Sequence, residues 1–153
     1  MSQFTDGWTI EECIGRGAFG EVYRISREEF GHTYQAALKV MHIPKDQAEL
    51  DAVLNEGDSP EEAEEYFYSV VTSIVEEFVL MSKMKGHSNI VSYEDHSVEK
   101  KEEGIGWTIY IRMELLTPLY EHIRSHNLSR WDVVRLGIDL CKALQVCARY
   151  HVI

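Results

Sequence analysis

The chain has 153 residues, 44% hydrophobic and 27% charged, which is enough for one ordinary domain with a sizeable core and too apolar for a disordered segment. Its net charge of −11 argues against general nucleic-acid binding, and no apolar run reaches the length that crosses a membrane. The N-terminus lacks the basic and apolar regions of a secretory signal, and Cys13, Cys141 and Cys147 lack metal-ligand spacing, so they read as reduced thiols of a cytoplasmic protein.

Residues 8–14 read as a first strand. Three glycines follow in the run Ile14, Gly15, Arg16, Gly17, Ala18, Phe19, Gly20, Glu21, Val22. This G-x-G-x-x-G spacing serves two kinds of nucleotide site, and what comes next separates them. A dinucleotide fold needs a helix to start there, with its N-terminus on the pyrophosphate. Here residues 21–27 are β-branched, aromatic and alternating, which predicts a second strand. A glycine turn between two strands is a flap that covers phosphates; the plainer alternative is a loose hairpin, since glycine commonly punctuates turns. Residues 28–32 turn the chain into a third strand over 33–42, which carries Ala37, Leu38, Lys39 and Val40. Leu38 and Val40 face away from Lys39. An isolated strand lysine usually points to water; a lysine beneath a glycine flap can instead hold phosphate as a point charge. Pro44 stops strand pairing, because it has no N–H to donate.

Residues 46–56 predict a short helix, with Leu50, Val53 and Leu54 on one side, ended by Gly57 and Asp58. Ser59, Pro60 and Glu62 then form a strong start for a long helix: a capping hydroxyl, proline at the first helical position and a glutamate that closes a capping box. Phe67, Val70, Val71, Ile74, Phe78, Met81 and Met84 recur at helical spacing, and Lys83, Lys85 and Gly86 mark the end. Glu77 shares the apolar face, where a carboxylate is costly unless paired, whereas Glu76 points elsewhere. Between 46 and 65 lie nine acids and no Lys, Arg or His, so this segment holds −9 of the −11. Such a run is read first as a solvated surface and second as a docking surface for a basic partner or substrate peptide.

Residues 90–98 predict a fourth strand and 107–113 a fifth, with Trp107, Ile109, Ile111 and Met113 on one face and Thr108, Tyr110 and Arg112 on the other. A connector over 114–117 leads to a short helix over 118–126. Ser129 and Asp132 form a second capping box, opening a last helix from Arg130 to about Tyr150 with a stripe of Val133, Leu136, Leu140, Ala143, Leu144 and Cys147. Three strands, a long helix, two strands and two helices predict an α+β fold with a five-stranded antiparallel sheet packed on helices.

The glycine run, Lys39 in its Ala-Leu-Lys setting, the residues 84–91 after the long helix and the Met113-Glu114-Leu115-Leu116 connector together resemble the first part of a protein kinase domain. The resemblance implies a small lobe over 1–116 with a hinge at 113–116, followed over 117–153 by the first two helices of a large lobe. It implies Lys39 and Glu77 as the catalytic ion pair, Gly15, Gly17 and Gly20 over the phosphates, and Ile14, Val22 and Ala37 around adenine. It makes Met113 the gatekeeper and assigns adenine contacts to the backbone of Glu114 and Leu116. ATP and Mg²⁺ are the implied cofactors, and protein hydroxyls the substrates, with serine/threonine preference drawn from likeness of residues 110–119 to the eukaryotic-like kinases of bacteria. Taken without the other motifs, 113–116 is equally a strand running into an ordinary loop.

There are departures from the family pattern. Thr117, Pro118 and Leu119 leave no assignable ribose-contacting acid, Ala148 stands where many kinases have histidine, and the link from Lys39 to the long helix is long and acidic. Residues 150–153 look like those just before the kinase catalytic loop, and no His-Arg-Asp, Asp-Phe-Gly or Ala-Pro-Glu segment is present, so the metal ligands are absent and these residues alone are expected to be inactive. Two other readings remain: a nucleotide-binding pseudokinase module, and an interaction module using 46–65. The last helix, unpartnered here, is expected to support self-association or to fray.

Overall fold

The computed structural model describes residues 3–55 and 59–152; Glu56, Gly57, Asp58 and the terminal Ile153, on which parts of the sequence reading fall, lie outside the described residues. The fold is α+β. Strands β1 (Thr9–Gly17), β2 (Gly20–Glu29), β3 (His32–Ile43), β4 (Tyr93–Lys100) and β5 (Trp107–Met113) form one open antiparallel sheet in the order β1-β2-β3-β5-β4. Helices α1 (Gln47–Asn55) and α2 (Pro60–Lys83) lie between β3 and β4, and α3 (Leu119–Ser125) and α4 (Arg130–Arg149) follow β5.

The alternation of β5 translates directly into layers. Trp107, Ile109 and Ile111 are buried with Met41 of β3, Tyr93 of β4 and Phe67, Val71 and Phe78 of α2, forming the main core between α2 and one sheet face. Phe67 is 1% exposed and Ile109 0%, and each such side chain contributes roughly 1.5–3 kcal/mol by leaving water. On the other face Ile25, Ala36 and Leu38 form a smaller core with Phe4, Trp8, Tyr23, Val40 and Tyr110. Among the described residues no α-helix covers this side. The N-terminal segment lies across it, and Arg112 stacks over Phe4 at 5.0 Å and Trp8 at 5.1 Å, while Arg27 stacks over Trp8 at 5.0 Å and Tyr34 at 5.4 Å. The guanidinium planes act as a lid on aromatic surface that would otherwise meet water.

Both capping boxes form. The Ser59 hydroxyl accepts from the Glu62 N–H at 3.2 Å and the Glu62 carboxylate accepts from the Ser59 N–H at 2.8 Å; Ser129 and Asp132 do the same at the start of α4. Several strand limits differ from the sequence reading; between β2 and β3, Glu29 pairs with His32, so only Phe30 and Gly31 turn the chain. The first strand runs on through the glycines to Gly17, because Arg16 pairs with Glu21 and Gly17 with Gly20, leaving only Ala18 and Phe19 in the turn. The fourth begins at Tyr93, not at residue 90, because a tight turn in which the Ile90 N–H donates to the His87 carbonyl at 3.1 Å takes the chain out of the sheet first.

Helices α3 and α4 stand apart from the core. None of their residues is buried, and the edge-on meeting of the His87 and Tyr150 rings at 6.1 Å is a tie between α4 and the loop after α2. Among the described residues no helix is long and apolar enough to cross a membrane.

Candidate functional site

The sheet register sets the site. Gly15, Val22, Lys39, Ile111 and His96 form one row across all five strands, and Glu12, Arg24, Ala37, Met113 and Tyr93 form the next row on the same face. Lys39 thus lies on the α2 side of the sheet, directly beside the hairpin that carries the glycines. Past the Ala18–Phe19 turn the chain returns through Gly20, whose φ of +110° belongs to the region that favours glycine. A Cβ there would sit 2.1 Å from the Val40 carbonyl oxygen, so only glycine lets the turn close onto β3.

Beneath this turn is a cavity of about 810 Å³. Its walls are Gly17, Phe19 and Gly20 of the turn, Lys39, Met41 and Ile43 of β3, Lys45 and Glu49 at α1, and Val70, Ile74, Glu77 and Phe78 of α2. It is apolar along the β3–α2 seam and charged at its edges. At the turn, Arg16 and Glu21 form an ion pair at 2.7 Å, and the Tyr23 hydroxyl donates to the same Glu21 carboxylate at 2.5 Å. Hydrogen bonding with Cys13 and then the Glu21 charge hold the Arg16 guanidinium above its ordinary pKa, and the bond to Glu21 raises the Tyr23 phenol. The Lys39 ammonium has no carboxylate partner among the described residues; it lies 5.9 Å over the ring of Phe19, the residue at the tip of the turn, itself 75% exposed.

Glu77 lines this cavity with Lys39, and Glu76 does not. The two side chains are not in ion-pair contact here, and Glu77 is exposed at the margin of the apolar face whose buried members are Ala63, Phe67, Val71 and Phe78. The argument that burial obliges Glu77 to find a partner therefore does not operate in this conformation, because water still reaches the carboxylate.

The residues that the family resemblance assigns to adenine are not gathered around the same space. Ala37 and Met113 pair with one another two residues from Lys39, Ala37 buried and Met113 packed against the main core. Val22 is half-buried beside Lys39, Ile14 and Leu116 are exposed, and the Glu114 N–H is donated to the Ser92 carbonyl at 2.9 Å, which leaves the Glu114 carbonyl, the contact that the resemblance implies, uninvolved in that bond. None of Ile14, Gly15, Val22, Ala37, Met113, Glu114 and Leu116 lines the Lys39 cavity; Met113 and Glu114 instead border a separate groove with Trp8, Arg27 and Arg112. The sequence reading named neither Lys45 nor the Arg27 and Arg112 stacks, because each depends on which segments meet across the fold.

A second concavity, about 420 Å³, is lined by Glu61, Glu64, Glu65, Tyr68, Lys100 and Trp107. Lys100 is bonded to Glu64 and lies 5.8 Å over the Trp107 ring. Among the described residues no group of three or more His, Cys, Asp or Glu is placed to hold a metal ion. Chemically, the Lys39 cavity offers an unpaired cation beneath a backbone turn free of bulky side chains at Gly17 and Gly20, a combination suited to anionic oxygens. The chain matches no family model, and no curated protein matches it.

Proposed function

We propose that this chain is the ATP-binding part of a protein serine/threonine kinase. In the complete domain the enzyme moves the γ-phosphoryl group of ATP to a protein hydroxyl with Mg²⁺, whose ligands are not among these residues. Gly17 and Gly20 admit the phosphates close to the backbone, Lys39 neutralises them, and Glu77 holds Lys39 in place when α2 moves inward. Ala37 and Met113, one row along the sheet, form the adenine end of the same face. The observation that carries this reading is that Lys39, Glu77 and the glycine turn, 60 residues apart in sequence from Gly17 to Glu77, border one cavity.

Binding of ATP to the purified chain, measured by calorimetry, tests it. Lys39→Met is expected to remove binding, and Glu77→Gln to weaken it more than Glu76→Gln does. Equal loss from Glu76→Gln, or ATP binding untouched by Lys39→Met, would contradict the reading. With labelled ATP and generic protein substrates these 153 residues transfer no phosphate, because they hold neither the catalytic base nor the metal ligands.

A second reading, an interaction module, is favoured by the concavity at the start of α2. Glu61 and Glu65 have no ion-pair partner among the described residues, and the neighbouring Glu64 already holds a lysine against an aromatic ring. A basic peptide that binds with salt-sensitive affinity and is lost on Glu61→Lys would support it.

A further inference from the structure

Resting on the nucleotide reading, we propose that Phe19 is a positioning residue that competes with the ligand for Lys39: its ring engages the ammonium in the unliganded chain, and an anionic oxygen has to displace it. Lys39 has few other partners. Glu77 lines the same cavity but is out of ion-pair contact, and no other carboxylate among the described residues pairs with Lys39. Glu21, also on the cavity wall, is committed to Arg16 and Tyr23. What does meet the ammonium is the Phe19 ring, whose centroid lies 5.9 Å from Nζ. The face of a phenyl ring carries partial negative charge, so it attracts a cation by the same electrostatics that an anionic oxygen uses. A phosphate oxygen carries more charge and accepts a hydrogen bond as well, so it prevails, with its affinity lowered by the ring contact that is lost.

The shape of the turn lets the ring leave without unfolding the hairpin. Gly20 fixes the base, since the chain there approaches the Val40 carbonyl as only glycine can. Ala18 and Phe19 are the whole of the tip, because Gly17 already pairs with Gly20. The space that a Cβ on Gly17 would occupy is empty to 4 Å, and Phe19 is largely exposed, so the core holds neither residue. The ring contact is thus a local interaction at the surface, of the kind that changes an equilibrium a few-fold rather than by orders of magnitude.

The test is calorimetric titration of the full 153-residue chain with ATP, for the unmodified protein, Phe19→Leu, Phe19→Trp and Lys39→Gln, together with carbon–proton NMR of the lysine side chains. Leucine keeps the apolar bulk without a ring face, and tryptophan offers a stronger one. Phe19→Leu is expected to tighten ATP about threefold and Phe19→Trp to weaken it about twofold. In the unliganded chain the ring current should shift the Lys39 Cε protons upfield, the signal being assigned by its loss in Lys39→Gln. That shift should disappear in Phe19→Leu and on saturation with ATP, which a residue that merely shaped the turn would not bring about. ATP affinity that is equal in the three residue-19 forms, or weakest in Phe19→Leu as for a ring that shields bound phosphate, overturns the competition, and so does a Lys39 signal unmoved by Phe19→Leu. In each of those cases loss of ATP in Lys39→Gln leaves the nucleotide reading standing. ATP binding that is absent, or indifferent to Lys39→Gln, overturns the nucleotide reading and this inference with it.

Discussion

Gly17 and Gly20 sit across the same two-residue turn and differ in what a methyl group would meet. At Gly20 a Cβ would clash with the Val40 carbonyl and φ is positive; at Gly17 nothing lies within 4 Å and φ is unremarkable. Gly20→Ala should therefore cost about 1–3 kcal/mol in urea unfolding, from strain and the forced separation of turn and strand. Gly17→Ala should fall within about 0.5 kcal/mol of the parent, since it touches no packed atom. If Gly17 serves a ligand, the same substitution weakens ATP, because the added methyl lies on the cavity wall. Loss of ATP binding without loss of stability separates a phosphate-covering turn from a plain hairpin. Unaltered ATP binding in Gly17→Ala would favour the hairpin.

The elements that form most locally are the two capped helices. Ser59→Ala removes the acceptor for the Glu62 N–H and should cost about 1 kcal/mol in thermal or urea unfolding. The capping carboxylates also give the chain an acid-side dependence. Hydrogen bonds from the Ser59 backbone first, and its side chain second, hold the Glu62 carboxyl below its ordinary 4.5, and Ser129 holds Asp132 below its ordinary 3.8. A depressed carboxyl contributes stability that is present above its unfolded value and lost as pH falls through the folded one. Helical circular dichroism should accordingly begin to fall once pH drops below 4.5, and Glu62→Gln should remove the α2 share of that fall. An identical acid profile in Glu62→Gln would show that the cap is not its source. Within α2, Phe67→Ala should cost about 3–5 kcal/mol, since the ring fills the centre of the main core.

At the scale of the molecule, a well-packed sheet and α2 coexist with two helices that bury nothing. Trp131 is 80% exposed, and Val133, Val134, Ile138, Leu140 and Leu144 are each about half exposed, as are Leu119 and Ile123 of α3. Half of the apolar stripe expected on the last helix thus faces water, with Leu136 and Cys147 partly covered. Such a surface either associates or loses protection. Hydrogen exchange over residues 131–150 should be much faster than over α2, and light scattering should rise with concentration if the surface pairs between copies. A strictly monomeric chain whose α4 amides are as protected as those of α2 would contradict both outcomes.

What the sequence determined by itself was everything with short reach. The caps at Ser59 and Ser129, the alternation of β5, the apolar face of α2 and the order of elements follow from residues within a turn or a strand of one another, where hydrogen-bond geometry and side-chain period leave few alternatives. Of the three glycines, Gly17 and Gly20 border one space with Lys39, and Gly15 is not among its walls. Tertiary structure alone decided the rest. Strand register moved Gly17 and Gly20 into a pair and delayed β4 to Tyr93. Packing set Phe4 and Trp8 beneath Arg112 and Arg27, brought Lys45 to the wall of the cavity, and left Glu77 exposed and out of ion-pair contact with Lys39. These outcomes depend on contacts between segments distant in the chain, whose free energies are settled by the whole packed arrangement, and no window of neighbouring residues contains them.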